Sequence, residues 1–91
     1  METAYHIDIF GRVTGVGFRF FAVNRAEAYG HIKGWIRNAG YGHVEALCQG
    51  DDSTLKKFLH DLTKGPAWGR VDEIKINEVP PSEMLANFHI R

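Results

Sequence analysis

The stretch from Gly11 to Arg19, GRVTGVGFR, constrains the fold most, because three glycines fall within seven residues between two different hydrophobic patterns. Before it, apolar residues alternate with polar ones, which is the period of a strand with one buried face. After it, apolar residues recur at helical spacing. The pattern therefore predicts a strand, a tight loop and a helix start, and glycine in such a loop permits positive φ and close approach of a ligand to the backbone.

The same loop predicts an anion site, most simply for a phosphoryl group. Unpaired N–H groups and a partial positive charge at a helix start suit an anion, and the guanidinium of Arg19 offers a fork of donors that matches a phosphate. The loop lacks the Gly-Lys-Ser/Thr ending of a Walker A loop and the third glycine of the dinucleotide fingerprint. Spacing alone leaves open an ordinary strand-to-helix turn with a solvated arginine.

Hydrophobic periodicity along the whole chain predicts the element order β-α-β-β-α-β with a short terminal strand. The first helix follows the glycine loop and ends at Gly30, and the second ends at Gly65, each glycine following the last periodic residue. Helices that return to one antiparallel sheet make the ferredoxin-like, split β-α-β architecture. We therefore expect an α+β two-layer sandwich, with four to five antiparallel strands and both helices on one face, as one domain over residues 1–91.

Charge and cysteine content argue against several classes of protein, although a balanced net charge does not exclude a local basic patch. Eleven basic and eleven acidic residues cancel, whereas a non-specific nucleic-acid binder normally has a basic excess. The single cysteine, Cys48, forms no intramolecular disulfide, and its position on the apolar side of a strand predicts a buried, inert thiol. No signal peptide or run of membrane-spanning length is visible. We expect a cytoplasmic monomer that binds neither nucleic acid nor membrane.

The predicted topology brings Asn38 towards the glycine loop. In the split unit the first two strands are parallel with the third between them, so both end at the same edge of the sheet, roughly 10 Å apart. The loop with Arg19 leaves the first strand at that edge, and Asn38 ends the second strand there. Asn38 is therefore a candidate partner for Arg19, and the alternative is a hairpin-entry residue that bonds its own backbone.

The chain resembles the acylphosphatase family over nearly its whole length. The residues that carry the resemblance are Gly11–Arg19, Gly34-Trp35-Ile36-Arg37-Asn38, Gly42-His43-Val44-Glu45 and Gln49-Gly50. The resemblance implies hydrolysis of the carboxyl–phosphate bond of an acyl phosphate to a carboxylate and inorganic phosphate, with no metal, cofactor or phospho-enzyme. It also implies that Arg19 binds the substrate and Asn38 orients the attacking water. The implied phosphate cradle is made by the backbone N–H groups of Gly15, Val16, Gly17, Phe18 and Arg19.

Two positions depart from the family pattern. Thr14 stands inside the loop where the family usually has glutamine, so rate or substrate preference is expected to differ there. Tyr41 stands in the hairpin turn where the family often has an acidic residue or asparagine, and we expect it to affect the turn more than the chemistry.

Other functions have less support in the sequence. RNA-recognition modules share the fold, but the third strand lacks their glycine flanked by aromatic residues. A regulatory domain that binds acyl or carbamoyl phosphates without turnover stays open. The five histidines form no cysteine–histidine cluster at ligand spacing, so no structural zinc site is expected. His6 and Asp8 fall on the solvent side of the first strand and receive no role.

Overall fold

Five strands and two helices follow one another in the order that the hydrophobic pattern predicts. The computed structural model describes residues 2–91. Its elements are β1 (Glu2–Arg12), α1 (Phe18–Tyr29), β2 (Lys33–Gly40), β3 (His43–Asp51), α2 (Asp52–Lys64), β4 (Arg70–Val79) and β5 (His89–Ile90). Both helices end at the predicted glycines, and a two-residue turn, Tyr41-Gly42, joins β2 to β3.

The sheet has the strand order β4-β1-β3-β2-β5. β1 is antiparallel to β3 and β4, and β2 is antiparallel to β3. Consequently β1 and β2 run parallel on either side of β3 and end at the same edge, as the split β-α-β prediction requires. The predicted fold class is confirmed.

The terminal strand β5 differs from the expected antiparallel pairing, because it lies parallel to β2 and makes the sheet mixed. The chain crosses from β4 at one edge of the sheet to β5 at the other. The crossing segment is held by Gln49, which exchanges hydrogen bonds with the backbone of Ser82, and by the N–H of Gly34, which donates to the carbonyl of Ala86. The chain therefore enters the edge beside β2 in the same direction as β2.

Both helices bury one apolar stripe. α1 buries Phe18, Ala22 and Ala26, and α2 buries the i, i+3, i+4, i+7 series Leu55, Phe58, Leu59 and Leu62. In each helix the C-cap glycine donates its N–H to a carbonyl four residues earlier. Within residues 2–91 no helix has the length and hydropathy needed to cross a bilayer.

The core lies between these stripes and one face of the sheet. The sheet contributes Ile7, Ile9, Ile36, Val44, Ala46 and Cys48, all fully buried. Burying a side chain such as Ile7 or Phe58 stabilises the fold by about 1.5–3 kcal/mol. Cys48 is buried as predicted, and its burial raises the pKa of the thiol to about 12. Within residues 2–91 no helix packs on the opposite face of the sheet, which presents mostly polar side chains.

Candidate active site

The glycine loop between β1 and α1 adopts the backbone conformation that its sequence predicts. Gly15 and Gly17 have φ of 74° and 77°, in the left-handed region, and a Cβ at either position would meet nothing within 4 Å. The glycines are therefore needed for conformation and not for space. They turn the chain from the end of β1 directly into the first turn of α1.

The first turn of α1 has no side-chain cap. Gly17 occupies the N-cap position, its carbonyl accepts the N–H of Phe21 at 2.9 Å, and the first turn contains no acidic residue. The N–H groups at this end of α1 consequently lack a side-chain acceptor in the described part of the chain. Such N–H groups and the positive end of the helix dipole favour an anion.

Arg19 lies in this first turn, half-buried. Among residues 2–91, carboxylates or a ring contact engage the guanidinium groups of Arg25, Arg37, Arg70 and Arg91, and none engages that of Arg19. Its fork of donors is therefore available to a bidentate anion.

Asn38 lies near the end of β2, at the sheet edge where the loop leaves β1. In the sheet register Asn38 is opposite Val44, and Val44 is opposite Ile9. Residues in one cross-strand row share a face, so the side chain of Asn38 is on the helix-covered face with Val44 and Ile9. Asn38 is nevertheless exposed to solvent. The fold thus places the two sequence-predicted residues at one end and on one side of the sheet.

The hairpin turn between β2 and β3 is fastened to the loop. The N–H of Gly11 donates to the carbonyl of Gly42 at 3.1 Å, and the N–H of Gly42 donates to Thr14 Oγ1 at 3.3 Å. Thr14 therefore ties the loop to the hairpin, whereas the side chain of Tyr41 is fully exposed. The tether by Thr14 was not predicted, since it depends on the hairpin turn lying beside the loop.

A cavity of about 540 Å³ borders the loop between β4 and the hairpin turn that joins β2 to β3. Its wall includes residues 14–16 of the loop, Tyr41 and Gly42 of the turn, and Arg70 of β4. Asn38 is not among the described residues that line it. The loop therefore borders an open space that extends to both β4 and the hairpin turn.

Nucleophilic side chains outside the loop include those of Cys48, Ser53 and Ser82. Cys48 is buried with a pKa of about 12, so little thiolate forms. Ser53 donates its hydroxyl hydrogen bond to Asp51 beside the start of α2, and the hydroxyl of Ser82 accepts the N–H of Met84. None of these groups suggests covalent catalysis.

Comparisons with known proteins find relatives that match nearly the whole chain. The acylphosphatase family model matches residues 5–90. A curated acylphosphatase from Bacillus pumilus (strain SAFR-032) is 37% identical over 87 residues, which cover 96% of each chain. The crystal structure of acylphosphatase from Bacillus subtilis superposes with a TM-score of 0.91 at 33% identity, covering 100% of this chain and 99% of that one. Full-length HypF in its phosphate- and nucleotide-bound form superposes with a TM-score of 0.85 at 30% identity, but over only 12% of HypF.

Proposed function

The chain belongs to the acylphosphatase family, and we propose that it hydrolyses the carboxyl–phosphate bond of acyl phosphates without a metal, releasing a carboxylate and inorganic phosphate. The observation that carries this proposal is the start of α1, where an uncapped first turn and the unpaired guanidinium of Arg19 adjoin the positive-φ loop. Both features favour a phosphoryl group.

Hydrolysis of an acyl phosphate requires little covalent chemistry from the protein. Its leaving group is a carboxylate of low pKa, so no general acid is needed to protonate it. Phosphoryl transfer passes through a loose transition state in most analyses, with charge spread over the equatorial oxygens. Catalysis then requires positioning and charge stabilisation, which backbone donors, a guanidinium and an amide can supply.

The loop and Arg19 are proposed to bind the phosphoryl oxygens. The N–H groups of Gly15 to Arg19 donate to these oxygens, and the guanidinium of Arg19 donates a bidentate pair. The absence of a carboxylate partner for Arg19 within residues 2–91 supports this role. Fixed donors of this kind stabilise developing charge with little reorganisation.

Asn38 is proposed to orient the attacking water in line with the leaving carboxylate. Water oxygen forms the new P–O bond, the bond from phosphorus to the acyl oxygen breaks, and its electron pair leaves with the carboxylate. Because an amide does not accept the proton, a phosphate oxygen of the substrate takes it. A pH–rate profile that shows an essential enzyme base near neutrality, with every substrate tested, would contradict this assignment.

Hydrolysis of benzoyl phosphate in the presence of a chelator tests the proposal. We expect Arg19→Ala to lose about 10²–10³ in kcat/KM. Arg19→Lys should not rescue it, because a point charge does not replace a bidentate fork. Arg25→Lys is the matched control on the same helix, since Arg25 pairs with Asp61 away from the loop. Wild-type turnover by Arg19→Lys would refute the assigned role of Arg19.

The likeness to a small part of HypF supports a second candidate, a domain that binds acyl or carbamoyl phosphates without useful turnover. Phosphate binding by the folded protein, with no hydrolysis of benzoyl phosphate, would favour this candidate. Turnover that depends on Arg19 would exclude it.

The same proposal includes the substrate, the oligomeric state and the cellular compartment of the enzyme. We propose that the chain acts as one domain and as a monomer in the cytoplasm, with a small acyl phosphate as its substrate and no nucleic acid. The balanced charge and the single buried thiol support this setting. A sedimentation measurement tests the monomer, and a gel shift with short RNA at low salt tests the absence of nucleic-acid binding.

A further inference from the structure

Four side chains with metal-binding chemistry meet on the sheet face that carries no helix. His6 and Asp8 alternate on β1, and His43 and Glu45 alternate on β3. We call these four residues the open-face cluster. Asp8 lies directly opposite Glu45 in the register. Their chain neighbours on each strand are core residues of the helix-covered face, so all four side chains project from the other face.

The donor atoms of the open-face cluster are close together. His6 Nε2 lies 2.6 Å from Glu45 Oε2, and His6 Nδ1 lies 3.8 Å from Asp8 Oδ2. One ligand atom from each of these three residues lies within 4.8 Å of the other two. The side chains of His6, Asp8 and Glu45 are 19–31% exposed, so an ion can reach them from solvent.

We propose that His6, Asp8 and Glu45 bind a divalent transition-metal ion such as Zn²⁺, which bridges β1 and β3. An imidazole with two carboxylates is a donor set that suits zinc. Ligand bonds of about 2.0–2.2 Å in tetrahedral geometry hold the donor atoms roughly 3.3–3.6 Å apart. One ion binds only one ring nitrogen of His6, whereas Glu45 contacts Nε2 and Asp8 contacts Nδ1, so one carboxylate must rotate towards the nitrogen that binds the ion. One donor atom from each residue already lies within 4.8 Å of the other two, so these atoms approach by roughly 1.5 Å at most to meet the tetrahedral spacing.

The charges around the open-face cluster leave room for a cation in its centre. Like charges directly opposite each other on a sheet are destabilising, and here Asp8 faces Glu45. Cations flank the pair: Arg37 bonds Glu45 through Oε1 at 2.6 Å, and Lys75 lies opposite Asp8 in the register. These outer partners leave Glu45 Oε2 directed at Nε2 of His6 and Asp8 Oδ2 directed at Nδ1 of the same ring. An ion between them offsets the remaining repulsion.

His43 is proposed to orient the ligand carboxylate and not to bind the ion. Its Nε2 lies 2.7 Å from Asp8 Oδ1, the oxygen that does not face His6. The ring of His43 also stacks on Phe10, with centroids 4.3 Å apart, which fixes its position. Hydrogen bonds of this kind to a ligating carboxylate typically change metal affinity by about 10–100-fold.

This site is independent of the proposed hydrolytic function. Asn38 and the start of α1 lie on the helix-covered side of the sheet, and the open-face cluster lies on the other. The two sites therefore share no side chain. Two of the proposed ligands come from β1 and one comes from β3, and Asp8 and Glu45 are 37 residues apart in the sequence. The sequence therefore shows no local spacing typical of metal ligands.

Calorimetric titration of the chelator-treated protein with Zn²⁺ alone tests the site. We expect one ion per chain, and a thermal midpoint raised by roughly 10 °C or more when zinc stands a hundredfold above its Kd. Co²⁺ should give the visible absorption of a low-symmetry site with mixed nitrogen and oxygen ligands.

Two ligand variants and a control make the test specific. His6→Gln and Glu45→Gln should each weaken zinc at least roughly tenfold, and Glu45→Gln keeps a side-chain oxygen for Arg37. His60→Gln removes an exposed histidine of α2 and should bind as the wild type does. Circular dichroism verifies that each variant is folded.

Three outcomes would overturn the proposal. They are the absence of saturable zinc binding by the wild type, unchanged affinity in both folded ligand variants, and loss of binding in His60→Gln. The last two would assign the ion to other side chains.

Discussion

Asn38→Ala is expected to lose catalysis while leaving stability nearly unchanged. The side chain of Asn38 is exposed, and within residues 2–91 it makes no hydrogen bond to another side chain or to the backbone. Its truncation therefore removes neither buried surface nor an intramolecular hydrogen bond. For such a substitution the free energy of unfolding should change by no more than about 0.5 kcal/mol.

The loss of rate follows from the position of Asn38. Asn38, Val44 and Ile9 form one cross-strand row on the helix-covered face, at the end of the sheet where the loop leaves β1. In the proposed mechanism the amide of Asn38 holds one water against the phosphoryl group. Removing one such positioned group typically costs about 10²–10³ in kcat, or about 2.7–4 kcal/mol. KM should change less, because in the proposed mechanism the loop and Arg19, which the substitution leaves intact, bind the phosphoryl group.

Steady-state hydrolysis of benzoyl phosphate with chelator present, together with urea unfolding, measures both effects in one preparation. Asn24→Ala is the matched control, since Asn24 is an exposed asparagine of α1 beyond the first turn. A folded Asn38→Ala enzyme whose kcat equals that of Asn24→Ala would refute the reasoning. So would a large loss of stability in Asn38→Ala, which would mean that the side chain supports the fold.

Three further predictions concern the scaffold. Gly34→Ala should lower the free energy of unfolding by about 4 kcal/mol or more, because a Cβ there would lie 1.8 Å from a backbone oxygen of β3 at a φ of 134°; thermal denaturation measures this. Cys48 should resist alkylation at mildly alkaline pH until urea unfolds the protein, since burial raises the pKa of its thiol to about 12. Hydrogen bonds from Tyr29 and then Arg25 lower the pKa of Asp61. That carboxyl contributes stability above its unfolded pKa of about 3.9 and loses it as the pH falls through its folded pKa, so Asp61→Asn should flatten the acid side of a stability–pH profile.

Local patterns predicted the elements well. The stripe of α2 and the glycines that end both helices, Gly30 and Gly65, lie within one element each, so the sequence displays them directly. The position of Asn38 was also predictable, because split β-α-β topology alone brings the ends of β1 and β2 to one edge.

Features that depend on register could not be predicted in the same way. His6 and Asp8 were given no role, yet the register places them beside Glu45 and His43 of β3. The pairing that brings them together is set by the hairpin turn and by the buried face, not by any spacing along the chain. The parallel direction of β5 similarly follows from the path of the crossing segment, and two residues carry no signal of direction.

The central place of β1 in the sheet has a consequence for how the molecule assembles. Although β1 is made before every other strand, it lies between β3 and β4, and Ala4 is opposite both Gln49 and Val79. Pairings between residues so distant along the chain slow folding, so we expect this chain to fold more slowly than a helical bundle of equal length. A nascent chain that has not yet produced β4 exposes an unpaired edge of β1, which invites association with other chains. The loop that leaves β1 lies beside Arg70 of β4 in the folded protein, and this contact can form only after β4 has been synthesised.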